Sequence, residues 1–313
     1  MSADLWERLS AAVRDIPAPR DDLMVELPSH LEDDDEIAAF QAFTDLAASS
    51  AHWTKACDHI SEILGEHPRL APVAVTAALN SEQPEALVTP LTSLVNSWYL
   101  SLDLLSALSG SIPYGVPYLN ELAVIVQTDL TKALREQAEH DPDEWLESLA
   151  LSLKHLSVHL GDVGHGADAV LSAEEAVAIC RRLARTDIET YRPLLADVID
   201  DLAVALQRTE RHDRAVECQQ EAIAHYRILA ATDPDTYVPI LADMLVRLWR
   251  RLTAAGADGL PALAEAVGTY RDLAAETPER YVPLLADLLK SLADGLKAAG
   301  RDEEALAVQR ATS

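Results

Sequence analysis

The feature that most constrains this chain is a heptad written three times. Residues 191–197 read YRPLLAD, 237–243 read YVPILAD and 281–287 read YVPLLAD. Stepping back from Tyr281 by 44 to 46 residues gives a series of aromatic anchors: Tyr281, Tyr237, Tyr191, Trp145 and Tyr99. The twelve residues ending on each of the first four also agree: YRDLAAETPERY, YRILAATDPDTY, CRRLARTDIETY and LREQAEHDPDEW. They share an arginine, at Arg135, Arg181, Arg227 and Arg271. A fixed period of this size marks a repeat architecture, in which each unit buries its apolar face against its neighbours.

Each unit reads as two helices. In YRPLLADVIDDLAVALQ the apolar residues Leu194, Leu195, Val198, Leu202 and Leu206 recur at steps of three or four, which places them on one helical stripe. The heptad prolines Pro193, Pro239 and Pro283 are expected in the first turn, where an N–H has no intrahelical partner. A polar turn follows. The second helix, RAVECQQEAIAHYRILA, aligns Ala215, Cys218, Ala222, Tyr226 and Leu229. It stops at TDPDT, where proline and aspartates end one helix and cap the next. No segment alternates as a strand does. The expected fold is all-α: an α-solenoid of stacked antiparallel helix pairs with an N-terminal helical cap or small bundle.

These residues resemble the tetratricopeptide repeat (TPR). Leu202-Ala203 fits its Leu-small pair, Leu206 its aromatic position, Ala215 and Ala222 its small residues, and Gly300 its turn glycine. The period is longer than the usual 34 residues or so and is similar to long-helix variants of actinobacterial type. The resemblance covers 119–313 well and 96–118 weakly. It implies the fold and says little of function, because such scaffolds bind many things.

Two domains are expected: an acidic helical region at 1–95 and repeats at 96–313. Helices are expected near 3–15, 36–49, 52–64 and 83–89, with the acidic run Glu32 to Glu36 capping the second. The stretch SGSIPYGVPY (109–118) interrupts the unit opening at Tyr99. The last unit is shorter than the others, and the exposed face expected there points to a second copy or another partner, a possible homodimer through the C-terminal repeat.

The net charge is −27, from 52 acids against 25 bases, which argues against nucleic-acid binding. Mean hydropathy is +0.01, and no apolar run of roughly 18 residues predicts a membrane span. The N-terminus lacks a basic segment and cleavage site, so no secretory signal is read and a cytoplasmic protein is expected. Cys57, Cys180 and Cys218 have neither metal-site nor disulfide spacing and read as reduced thiols.

Catalytic signatures do not appear, no cofactor is expected, and the chain reads as a non-enzyme. GDVGHG (161–166) falls between two helices and follows no strand, unlike a phosphate loop. His155 and His159 share a helix face at zinc-like spacing, with His165 beyond, but the glutamate of a zincin is missing. The better candidate is the concave face that the first helices would line. It would carry Lys154, His155 and Val158, then Asp197, Asp200, Asp201 and Val204, then Asp243, Arg247, Trp249 and Arg250, then Asp287, Lys290, Asp294 and Lys297. VRLWRRL (246–252) clusters three arginines in an acidic chain, and arginine suits bidentate capture of carboxylates. Trp249 stands where other copies hold a small residue, so it is expected to push units apart or stand in the groove. The function expected is therefore a scaffold for a protein or peptide partner. The alternative is an acidic inhibitor or immunity-type protein that blocks a basic target. A helical region before long repeats also resembles bacterial peptide-sensing regulators, though no basic recognition helix is present. Tyr191, Tyr237 and Tyr281 are expected to wedge between helix pairs, with Tyr237→Ala costing about 3–5 kcal/mol.

Overall fold

A computed structural model describes residues 53–81, 84–97 and 100–310, together with Leu9, Ile37, Phe40, Gln41, Phe43 and Thr44. The helices expected near 3–15 and 36–49 lie, apart from those six residues, outside the described part, as do the acidic run 32–36 and the anchor Tyr99. The chain forms two compact units, Met1–Trp145 and Leu146–Ser313. The described residues are almost wholly helical and include no strand.

In the first unit the helices are α1 (Trp53–Glu66), α2 (Ala71–Asn80), α3 (Glu85–Ser97), α4 (Leu102–Ser111) and α5 (Asn120–His140). α3 packs on α1, α2 and α5, and α4 packs on α2 and α5. Ile60, Leu70, Leu87, Leu91, Leu108 and Leu119 are fully buried between them. α3 runs through Pro90 to Ser97, well past the expected end near residue 89. The interruption after α4 is a turn with Gly115 at φ +72° and a short 3₁₀ segment, Pro117–Leu119, leading into α5.

The second unit repeats one motif. Its helices are α6 (Pro142–Asp162, whose first turn falls in the first unit), α7 (Gly166–Thr186), α8 (Ile188–Arg208), α9 (His212–Thr232), α10 (Pro234–Ala254), α11 (Leu260–Glu276), α12 (Pro278–Ala298) and α13 (Asp302–Arg310). From α7 onward each helix packs on the next. Leu195, Val198, Ile199, Leu202 and Leu206 of α8 are buried, as the stripe requires, and so are Ala215, Ala222, Tyr226 and Leu229 of α9.

The turn within each pair has one geometry. Gly164, Glu210, Gly256 and Gly300 take φ of +84°, +59°, +73° and +74°. The following N–H reaches back to Leu160, Leu206, Leu252 and Leu296 carbonyls at 2.8–2.9 Å, which closes a Schellman motif each time. Three copies use glycine, which adopts the left-handed region freely, and the second strains a glutamate into it. Glu210→Gly is therefore expected to raise stability by about 0.5–1 kcal/mol in urea unfolding.

Between pairs, Asp187 and Asp233 cap α8 and α10 by accepting the N–H of Thr190 and Thr236 at 3.1 and 3.3 Å. These helices begin three residues before the tyrosine anchor, so Pro193, Pro239 and Pro283 stand at the sixth helical position rather than in the first turn. Each removes one ladder hydrogen bond. The carbonyls so freed belong to exposed Glu189, Asp235 and Glu279, where water can satisfy them.

The recurring arginine is a stitch between second helices. Arg181 of α7 makes a bidentate pair with Glu221 of α9 at 2.8 and 2.9 Å, and Arg227 of α9 does the same with Glu265 of α11 at 2.8 Å. The anchors themselves differ in burial. Tyr281 is buried, but Tyr191 and Tyr237 are only half-buried. The rings enclosed between helices are Tyr226 and Tyr270, 2% and 4% exposed. Tyr237 and Tyr281 lie against them, with ring centroids 6.4 and 6.0 Å apart. The large cost expected for Tyr237→Ala thus belongs to Tyr226.

Candidate functional site

The first helices of the second unit carry a polar network built from the heptad and the turn after it. Asp197 closes the first heptad. Its carboxylate accepts from Lys154 Nζ of α6 at 3.1 Å and from the Tyr226 hydroxyl of α9. Asp243 closes the second heptad and accepts from the Tyr270 hydroxyl in the same way. One device thus ties the first helix of a pair to the second. In the copy where Cys180 replaces the tyrosine, Leu151 replaces the aspartate.

One turn further along α8 stand Asp200 and Asp201. Asp201 lies 3.8 Å from Lys154 Nζ. Asp200 accepts from Arg247 Nη1 of α10 at 2.7 Å and lies 3.9 Å from Arg251 Nη1. Three pairs are therefore joined through their first helices, with three acids set against three bases. Asp200 and Arg251 are buried to the same degree, with side chains 8% exposed, whereas Arg247 is 47% exposed. Burial raises the carboxyl pKa of Asp200, and Arg247 and Arg251 offset this only in part. Burial likewise lowers that of Arg251, against the pull of Asp200.

Burial pushes Asp201 up from 3.8 to about 6; Lys154 opposes the rise, and Asp200 and Asp197 add to it. Because its pKa is higher folded than unfolded, the folded state holds this proton more tightly. The resulting stability is fully present below about pH 4 and is lost as pH rises through about 6. Urea unfolding at about pH 5 and about pH 7 should differ by roughly 1–2 kcal/mol between wild type and Asp201→Asn, the variant lacking the gain at the lower pH.

Of the other residues singled out in the sequence, His159 is buried and His155 half-buried. Burial lowers both imidazole pKa values, with Asp162 opposing the shift at His159. Among the described residues no group of three metal-ligating side chains converges. GDVGHG is the end of α6, the left-handed turn at Gly164 and the start of α7. Trp249 is half-buried over the turn between α10 and α11, at Gly259, where an added Cβ would lie 2.8 Å from its ring and 2.8 Å from its own carbonyl oxygen. A glycine makes room for the ring. Arg250 is exposed on α10, and Asp287, Lys290, Asp294 and Lys297 are exposed on α12.

Four members of the network, Arg251, Gln219, Tyr226 and Tyr270, were not singled out as site residues. Gln219 is fully buried and its amide lies 3.1 Å from Met244 Sδ. The tyrosines did leave a signal: they occur with Asp197 and Asp243 and are lost together with the aspartate in the Cys180 copy. Arg251 left none, since its register holds histidine, alanine and glycine elsewhere.

The helix pairs, their shared turn and the stitching between successive pairs define the class: an all-α, TPR-like helical-repeat protein. No family model matches the chain, and no curated protein matches it. Similar solved structures include a Rap protein complexed with competence and sporulation factor, 10% identical over 100% of this chain and 97% of that one, with a TM-score of 0.43. MamA is 16% identical over 63% of this chain and 92% of its own, with a TM-score of 0.35. A circular tandem repeat protein with novel repeat topology is 14% identical over 97% and 74%, with a TM-score of 0.31. These scores are too low to carry an argument, and the class rests on the helix pairs themselves. Among the described residues no helix is long and apolar enough to cross a membrane.

Proposed function

We propose that the chain is a non-enzymatic cytoplasmic scaffold that holds a protein or peptide along the first-helix face of its second unit. One observation carries the reading. At packing positions the copies agree, with Ala150, Ala196 and Ala242 in one register and Leu156, Leu202, Leu248 and Leu292 in another. At an outward register they differ, with Val158, Val204, Arg250 and Asp294. Arg250 and Asp294 are exposed and have no ion-pair partner among the described residues. Variation at an outward register, beside packing registers that keep alanine and leucine, is what a recognition face produces. The first helices start at Pro142, Ile188, Pro234 and Pro278, which supports placing the protein with long-period TPR-like repeats of actinobacterial type. A second copy of the chain, at the end formed by α12 and α13, is the other partner.

The test is a partner purified from the native cell and identified by mass spectrometry, followed by titration. Arg250→Glu with Lys290→Glu should weaken its binding about tenfold or more, while Arg182→Glu, on the exposed side of α7, should leave it unchanged. Equal effects on both faces, or none, would overturn the reading. The net charge of −27 favours one alternative, an acidic inhibitor of a basic target. Its binding would collapse with salt whichever helix face is altered.

A further inference from the structure

Along the exposed side of α12 stand Asp287, Lys290, Asp294 and Lys297. Their steps of three, four and three residues keep them on one helical strip. All four are exposed, and none has an ion-pair partner among the described residues. Two of these registers, those of Asp287 and Lys290, are engaged internally in earlier copies. Asp197 holds Lys154 and Tyr226, Asp200 holds Arg247, and Asp243 holds Tyr270.

The order of charge on this strip is self-complementary in one orientation only. Read backwards, Asp-Lys-Asp-Lys becomes Lys-Asp-Lys-Asp. A second α12 laid antiparallel about a two-fold axis near Leu292 sets Asp287 against Lys297 and Lys290 against Asp294. Symmetry doubles each contact, giving four opposite-charge pairs. A parallel two-fold arrangement would set like against like, and a shifted one would not close. Beside the strip a shallow groove runs between α12 and α13, lined by Ala286, Leu289, Ala293 and Gln309. The alanines allow close approach of a second helix. Val282 and Leu306 are 50% and 51% exposed and supply apolar surface for it to cover.

We propose that two copies of this chain pair through antiparallel α12 helices, in the register that opposes Asp287 to Lys297 and Lys290 to Asp294. This rests on the reading of a second copy at the α12–α13 end and gives that contact its orientation. The pairing is isologous and closed, so it yields a dimer and not a filament.

Sedimentation velocity of the full chain over a concentration series tests it, with two variants whose folding is checked by circular dichroism. One carries Lys290→Glu and Lys297→Glu; the other carries Asp287→Lys and Asp294→Lys. Each alone should dimerise about tenfold or more weakly than wild type, because every cross-pair is then like-charged. An equimolar mixture should recover a dimer at least as tight as wild type, since every pair is opposite again. A structural role for these side chains would weaken the mixture too. A wild type that stays monomeric throughout the micromolar range overturns both this pairing and the two-copy reading beneath it. A dimer that each variant retains unchanged overturns the α12 register and leaves the two-copy reading standing.

Discussion

Replacing Asp200 with leucine should destabilise the second unit by about 3–5 kcal/mol, the cost of leaving a buried charge without its partner. The charge left behind is Arg251, whose side chain is 8% exposed and whose Nη1 faces Asp200 at 3.9 Å. Arg247 also loses its partner, but at 47% exposure it can turn to water and adds little. The double variant Asp200→Leu with Arg251→Met removes both buried charges and should recover most of the loss. Buried ion pairs replaced by packed apolar groups are often neutral or better. Urea unfolding of the two single variants and the double variant gives the coupling directly. Were the single variants to cost under about 1 kcal/mol each, with no recovery in the double, the pair would have to be solvated, and burial would not be what sets its energy.

The energetic arrangement bears on what the network is for. Arg247 reads in the sequence as a free cation in an acidic chain, but its Nη1 donates inside the protein, to Asp200. Such a network sets the register of one helix pair against the next more than it adds stability. On the proposed scaffold reading, the better candidates for recognition are Arg250, Lys290 and Asp294, which are exposed and make no ion pair among the described residues.

The helix pairs were legible in the sequence because helical periodicity is a local property. The stripe Leu195, Val198, Leu202, Leu206 needs no knowledge of what it packs against. Helix starts were less legible: the heptad opens on its tyrosine, while the capping aspartate Asp187 or Asp233 stands four residues earlier. What escaped was partner choice. The sequence around Trp249 gives no sign that Gly259, ten residues on, makes room for its ring. Similarly, the recurring arginine looked like a marker of the repeat, but its glutamate lies about forty residues ahead, on the next second helix. Contacts at such separations have no local trace except correlated change between copies.

Correlated change also sets the largest single effect expected from an aromatic residue. Tyr226→Ala should cost about 3–5 kcal/mol, with a melting temperature lower by roughly 10 °C, because it empties a buried ring site in a packed helix interface. The ring is 2% exposed, and its hydroxyl donates to Asp197. Tyr226→Phe should cost about 1–2 kcal/mol, since Asp197 keeps Lys154 as a donor when the hydroxyl goes. Tyr237→Ala should cost about as little as Tyr226→Phe, about 1–2 kcal/mol, because its ring is half-exposed and only leans on Tyr226 across 6.4 Å. That ordering separates ring burial from the conspicuous heptad position: equal costs at 226 and 237 would mean the anchor tyrosine is the wedge after all. The first pair supplies the control. There Cys180 fills the register of Tyr226, and Leu151, 36% exposed, fills that of Asp197. Transplanting both, as Tyr226→Cys with Asp197→Leu, should cost less than the sum of the two single changes. The cysteine alone leaves Asp197 without its hydroxyl donor, and the leucine alone strands the buried Tyr226 hydroxyl and removes the nearer of the two partners of Lys154. A strictly additive pair would sever the link between the two registers and leave the tyrosine–aspartate bond as a chance neighbour contact.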